Sequence, residues 1–190
     1  MNLLYLRHGQ TDWNALHLIQ GKTDIPLNET GREQAHAAAD SLASYGIDLI
    51  IASPLKRAME TAEIIAERLG IDRGRIVSDA SLCERDFGIY EGRPMSEVDM
   101  DALRHWTDDA PTPGGETIRD VAGRVFGFMD AALEKHKGKT MLLVAHGHVL
   151  RVLYWYFHGI PAQGEEETMI RTDNCALYEF DTAMQKERHR

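Results

Sequence analysis

Leu3-Leu4-Tyr5-Leu6-Arg7-His8-Gly9-Gln10-Thr11-Asp12-Trp13-Asn14 is the stretch from which the rest of this chain can be read. Four apolar residues in a row, without polar alternation, are the pattern of a strand buried on both faces of a parallel sheet. The run stops at Arg7-His8-Gly9. A cation and an imidazole therefore stand at the carboxyl end of a buried strand, where open α/β sheets place their ligands. Gly9 is expected to let the backbone turn and come close to whatever is bound. Taken alone, a histidine beside a glycine is as readily a turn or a packed core residue. A second occurrence shifts the balance: Thr140-Met141-Leu142-Leu143-Val144-Ala145 is another apolar run of strand length, and it ends in His146-Gly147-His148. If the two strands are neighbours, His8 and His146 open into one crevice.

Between these runs the chain alternates helix and strand. After Asn14, residues 15–29 read as a loop. Thr30-Gly31-Arg32-Glu33 has the form of a capping box opening an alanine-rich helix to about Tyr45, which Gly46 closes. Asp48 to Ala52 reads as a buried strand, and Ser53-Pro54 as the start of a helix to Leu69. Ile76-Val77 is a short strand, residues 95–108 a helix, and Pro111 to Glu116 a break that no helix crosses. A long helix spans Thr117 to His136, another about 148–158, and Met169–Arg171 and Ala176–Phe180 are closing strands. Trp155, Tyr156 and Phe157 read as core. The expected fold is α/β: a three-layer α/β/α sandwich around a mostly parallel sheet. One domain over 1–190 accounts for the length, with a small cap segment at about 85–113 and a polar tail at 181–190.

Composition narrows the classes of function. A formal charge of −9 with no basic stripe argues against nucleic acid as partner. No apolar run reaches membrane-spanning length, and the first strand begins at once, so no signal peptide or membrane partner is expected. Two cysteines, Cys83 and Cys175, form no metal motif and suit a reducing compartment, which makes the cytoplasm the expectation. Oligomeric state is left open, a homodimer included.

Arg57 falls in the first turn of its helix, beside the end of the preceding strand. There its guanidinium, with the helix N-terminus, suits a phosphate. Imidazole can attack phosphorus and carry a phosphoryl group. Arg7, Arg57 and a protonated His146 would balance charge on the equatorial oxygens, and Glu84 with a raised pKa would protonate the leaving oxygen.

Arg7-His8-Gly9 with Asn14, Ser53-Pro54-x-x-Arg57-Ala58-x-x-Thr61-Ala62, the Leu82-x-Glu84 loop and His146-Gly147 together resemble the histidine phosphatase superfamily. Within it they resemble the phosphoglycerate mutase-like branch, in the family's order over residues 3 to about 180. The resemblance implies that His8 is the phosphorylated nucleophile and Glu84 the proton donor and later the base for water. It implies a phosphate pocket of Arg7, Asn14, Arg57 and His146, lined also by Gln20, Gly21 and the backbone at Gly147 and His148. It implies no metal and no organic cofactor.

Members that are mutases carry an adjacent arginine pair, absent here, and Tyr90 to Pro113 is short and acidic: Glu91, Glu97, Asp99, Asp101, Asp108 and Asp109. An acidic cap disfavours a substrate with further negative groups. Hydrolysis of a small phosphomonoester is therefore expected, as in the broad-specificity, alpha-ribazole, phosphoserine or sugar-phosphate phosphatases, with mutase activity the alternative. A zinc hydrolase using His8, His146, His148 and Glu84 conflicts with the arginines. A non-catalytic phospho-ligand module has no need of both His8 and Glu84. The remaining histidines, such as His17, His36 and His136, read as solvated or packed.

Overall fold

The computed structural model describes residues 2–99, 112–160 and 173–182. Among them the elements run β1 (Asn2–Arg7), α1 (Asp12–Ala15), α2 (Glu29–Leu42), β2 (Leu49–Ala52), α3 (Lys56–Arg68), β3 (Ile76–Ser78), α4 (Ile118–Lys135), β4 (Thr140–Ala145), α5 (Gly147–His158) and β5 (Leu177–Asp181). The strands form one sheet in the order β3-β2-β4-β1-β5. β1, β2, β3 and β4 pair in parallel, and β5 lies antiparallel on β1.

Strand side chains alternate between faces, and in β1 both sets are apolar. Leu3 and Tyr5 join Val121, Val125 and Leu153 in a core under α4 and α5. Leu4 and Leu6 join Ala58, Ala62 and Ile65 in a second core under α2 and α3. The sheet is therefore covered on both faces, as its unbroken apolar runs require. Trp155, Tyr156 and Phe157 lie in the first core.

Several boundaries differ from the sequence reading. A four-residue helix, α1, occupies the end of the opening stretch; Thr11 caps it and Asn14 closes the capping box. The cap of α2 is Asn28, not Thr30: the Asn28 side chain accepts from the Gly31 N–H at 2.9 Å. Gly31 sets that register, because a Cβ there would sit 2.1 Å from the Gln10 carbonyl oxygen. The helix stops at Leu42, short of Tyr45. α3 begins at Lys56 rather than Pro54, although the Ser53 Oγ still accepts from the Leu55 N–H at 3.3 Å. α4 starts as read, with Thr117 and Asp120 in a reciprocal capping box. Of the helix expected over 95–108, the described part forms a 3-10 turn, Met95–Glu97, and residues 100–108 lie outside the described residues, as does the strand expected at Met169–Arg171. Asp181, taken as the start of a polar tail, pairs with Asn2 in β5.

Candidate active site

The β1–β4 register sets Arg7 opposite Ala145, so the next residue of each chain segment, His8 and His146, emerges at the same sheet edge. Their ring centroids are 5.1 Å apart, tilted by 56°. His8 Nδ1 lies 2.7 Å from the Gly9 carbonyl oxygen. A carbonyl only accepts, so Nδ1 carries the proton and Nε2 keeps its lone pair. Burial, then the nearby His146, Arg7 and Arg57, hold the ring well below the usual imidazole pKa, so it is neutral at pH 7. The backbone is pinned as well: Asn174 Nδ2 donates to the His8 carbonyl at 2.9 Å, and the Cys175 N–H to that of Arg7 at 3.0 Å.

His146 is held the other way round. Its Nε2 lies 2.8 Å from the Ser53 Oγ, and its carbonyl accepts from the Tyr5 hydroxyl. Nδ1 is buried with no hydrogen-bond partner among the described residues. Burial and Arg57 press its pKa well down, against Glu84. The resting ring is therefore neutral, not the imidazolium that the sequence suggested; burial disfavours charge until an anion arrives to balance it.

Arg57 is fully buried in the first turn of α3. Its Nη2 donates to the Gly21 carbonyl at 2.7 Å and its Nη1 to that of Thr23 at 2.9 Å, while Nε is buried without a partner among the described residues. Burial lowers its pKa to about 10 against the pull of Glu84, and it remains a cation at neutral pH. The Thr61 hydroxyl, one turn on, donates to the Arg57 carbonyl at 2.7 Å and accepts from the Gly9 N–H at 3.1 Å. α3 is thereby tied to the end of β1.

Glu84 sits on a loop that Arg124 grips from α4, donating to the carbonyls of Ser81 at 2.6 Å and Glu84 at 3.1 Å. Its carboxylate accepts from the backbone N–H groups of Arg85 at 2.9 Å and His148 at 3.2 Å. Burial alone would raise its pKa. The adjacent His148 and those N–H donors outweigh burial and hold it well below the usual carboxylate range. The expected raised pKa is thus reversed in the resting site: two N–H donors favour the ionised form.

The pocket at this edge is lined by every residue anticipated for it except His146, which lies fully buried behind: Arg7, His8, Asn14, Gln20, Gly21, Arg57, Glu84, Gly147 and His148. Individual roles are more specific than the sequence reading gave. Asn14 Oδ1 accepts from the Thr11 N–H at 3.1 Å, which leaves its amide NH2 for the pocket. The His148 N–H is spent on Glu84 rather than offered to a ligand. Gly9 lacks a Cβ because one would meet the Gly31 carbonyl oxygen at 2.4 Å, so the close approach is to α2. Sequence reasoning missed Asn174, the Ser53–His146 contact, and an outer wall of Leu18, Ile19, Phe87, Met95 and Arg151. Arg151 had a legible signal, since it stands one helical turn after His148. Among the described residues no group of three His, Cys, Asp or Glu side chains is gathered to hold a metal, and no helix is long and apolar enough to cross a membrane.

A sheet edge with two facing imidazoles, a buried Arg57 beside Arg7 and a buried carboxylate defines a phosphoryl-transfer type of site. The sequence profile of the histidine phosphatase superfamily (branch 1) matches residues 3–189, and the chain belongs to that superfamily, on its phosphoglycerate mutase-like side. A probable phosphoglycerate mutase GpmB of Yersinia pestis (strain Pestoides F) is 36% identical over 187 residues, 95% of this chain and 85% of the relative. The mycobacterial glucosyl-3-phosphoglycerate phosphatase, solved with VO3, superposes with a TM-score of 0.83 at 30% identity, over 97% of this chain and 94% of that one. Phosphoserine phosphatase from Entamoeba histolytica, solved with 3-phosphoglyceric acid, gives 0.78 at 26% identity, over 96% and 91%. The protein is thus an enzyme of the phosphatase and mutase type.

Proposed function

We propose that this protein hydrolyses a small phosphomonoester through a phosphohistidine on His8, without metal or cofactor. The observation that carries the reading is the 2.7 Å bond from His8 Nδ1 to the Gly9 carbonyl, which leaves a neutral Nε2 lone pair in a pocket walled by Arg7, Arg57 and Glu84. Nε2 attacks phosphorus as the ester P–O bond breaks, and the leaving oxygen takes a proton from Glu84. Glu84 rests ionised, so that proton arrives with the substrate: a phosphate dianion beside the carboxylate raises its pKa, and a monoanion brings the proton itself. Glu84 then takes a proton from water, water attacks phosphorus, and the P–N bond returns its pair to Nε2. Arg7, Arg57, the Asn14 amide, Gln20, Gly21 and Gly147 cradle the phosphoryl oxygens throughout.

The substrate class we favour bears a carboxylate as well as the phosphate. Arg151 stands in the outer wall of the pocket, and an arginine there suits a carboxylate. The relatives' names point the same way: a phosphoglycerate mutase, a glucosyl-3-phosphoglycerate phosphatase and a phosphoserine phosphatase. Of the acidic cap, Glu91 is turned inward onto backbone N–H groups, which removes part of the objection to such a substrate. Alpha-ribazole phosphate, without a carboxylate, ranks below. Two thiols without a disulfide suit a reducing cytoplasm.

Arg151 and the GpmB relative also keep mutase activity as a second reading. The two separate in one assay on 3-phosphoglycerate primed with 2,3-bisphosphoglycerate, alongside phosphoserine and para-nitrophenyl phosphate. Free phosphate and 2-phosphoglycerate are followed independently. We expect phosphate release with little isomerisation; rapid isomerisation with little phosphate would make the chain a mutase.

A further inference from the structure

Glu91 performs no chemistry in that reading, and by sequence it is one more acid on a charged segment. In the structure it is an internal staple. Oε1 accepts from the backbone N–H of Lys22 at 2.8 Å and of Phe87 at 3.1 Å. Oε2 accepts from the Thr23 N–H at 2.9 Å and from the Thr23 hydroxyl. Gly21 makes room for it: its φ is +53°, and a Cβ there would lie 1.9 Å from Glu91 Oε1. The loop so fastened is the one whose carbonyls, at Gly21 and Thr23, receive the two Nη groups of Arg57 at 2.7 and 2.9 Å.

We infer that Glu91 is a positioning residue for phosphoryl transfer: it fixes the Gln20–Thr23 backbone so that the Gly21 and Thr23 carbonyls aim the Arg57 guanidinium at the phosphoryl group. The inference rests on the phosphohistidine reading above. A guanidinium held in one orientation is worth more in the transition state than one that swings, because its dipoles need no reorganisation as charge develops. The chemistry also explains why the residue is an acid. All four of its partners are donors, and an ionised carboxylate is acceptor-only. An amide of the same shape would turn an NH2 against N–H groups, so glutamine at this position is not a conservative change. Aspartate keeps the acceptor-only head on a shorter arm.

The test is a double-mutant cycle among wild type, Glu91→Gln, Arg57→Lys and the double variant. It is read as kcat and KM on para-nitrophenyl phosphate and as orthovanadate affinity by calorimetry, with thermal midpoints recorded. Glu91→Gln is expected to lower kcat and vanadate affinity by about ten- to a hundredfold in the wild-type background, as a misaligned guanidinium does. In the Arg57→Lys background the same change is expected to cost less than about threefold, since residues acting as one unit are non-additive. Glu91→Asp should recover part of the loss. Equal losses in both backgrounds would overturn the inference, because Glu91 would then act by another route. Should Glu91→Gln not fold, the cycle with Glu91→Asp gives the same two outcomes. His8→Ala in the same assay separates the two layers. Turnover by that variant sinks the phosphohistidine reading, while the vanadate arm still decides the role of Glu91.

Discussion

The ends of β1 and β4 carry the same two-letter text, His-Gly, at matching register, yet the protein builds them to opposite specifications. At His8 a backbone carbonyl receives Nδ1–H, and Nε2 is left with a lone pair. At His146 it is Nε2 that is engaged, by a serine hydroxyl able to donate or accept, and Nδ1 is left buried and unpartnered among the described residues. A carbonyl enforces one tautomer of the neutral ring, whereas a hydroxyl permits either. In the mechanism proposed above, the first histidine keeps a lone pair for attack and the second is a ring that takes up a proton when an anion enters. Repetition in a sequence marks where chemistry is placed, and the local hydrogen-bond partner decides which chemistry.

The largest effect that would sharpen this contrast is His8→Ala, expected to lower turnover on the order of 10⁴-fold or more, since in the proposed mechanism His8 Nε2 supplies the attacking pair. No radiolabelled phosphoenzyme should be trapped after an alkaline detergent quench, the P–N bond of a phosphohistidine being stable in base and labile in acid. His146→Ala should keep a phosphoenzyme and lose about a hundredfold in kcat, the cost of one charge-stabilising group. Equal damage from both variants would erase the distinction. Smaller still, Ser53→Ala should cost only a few-fold in kcat, a net neutral hydrogen bond being worth about 1 kcal/mol.

Both rings also leave a mark on stability. Each has a folded pKa below its unfolded value of about 6.5, so the unfolded chain binds the proton first as pH falls. Their contribution is present above pH 6.5 and is lost as pH drops below it, by up to about 1.4 kcal/mol per unit for each ring. Glu84, likewise depressed from 4.5, acts in the same direction near and below that lower value. Urea unfolding between pH 8 and pH 5.5 should show this slope, reduced in His146→Asn. A flat profile would mean that neither ring resists protonation.

Much of this was legible in the sequence, and for a common reason. β1, β4, Arg57 and His146 announce themselves locally: an apolar run ends, and a polar residue stands at a known point of the fold. Glu91 announces nothing, because three of its four donors lie 68 and 69 residues away at Thr23 and Lys22. The ionisation of Glu84 was read with the wrong sign for the same cause. Burial was foreseeable, whereas the backbone N–H of His148, 64 residues on, was not. Thr30 lost to Asn28 as helix cap although both are good capping types, since the close contact of Gly31 with Gln10, a tertiary fact, fixes the start.

The position of β1 inside the sheet has a consequence for how the enzyme comes into being. Both of its neighbours, β4 and β5, begin at residues 140 and 177, whereas β1 begins at residue 2. On a ribosome making about 5–20 residues per second, the strand bearing the nucleophile therefore waits on the order of ten seconds for any partner in the sheet. Through that interval an apolar, two-sided strand with open edges is exposed, the form most prone to pair with the wrong chain. The strand end synthesised first is completed last, so a stalled or truncated nascent chain holds His8 and Arg57 without the His146 end of the pocket.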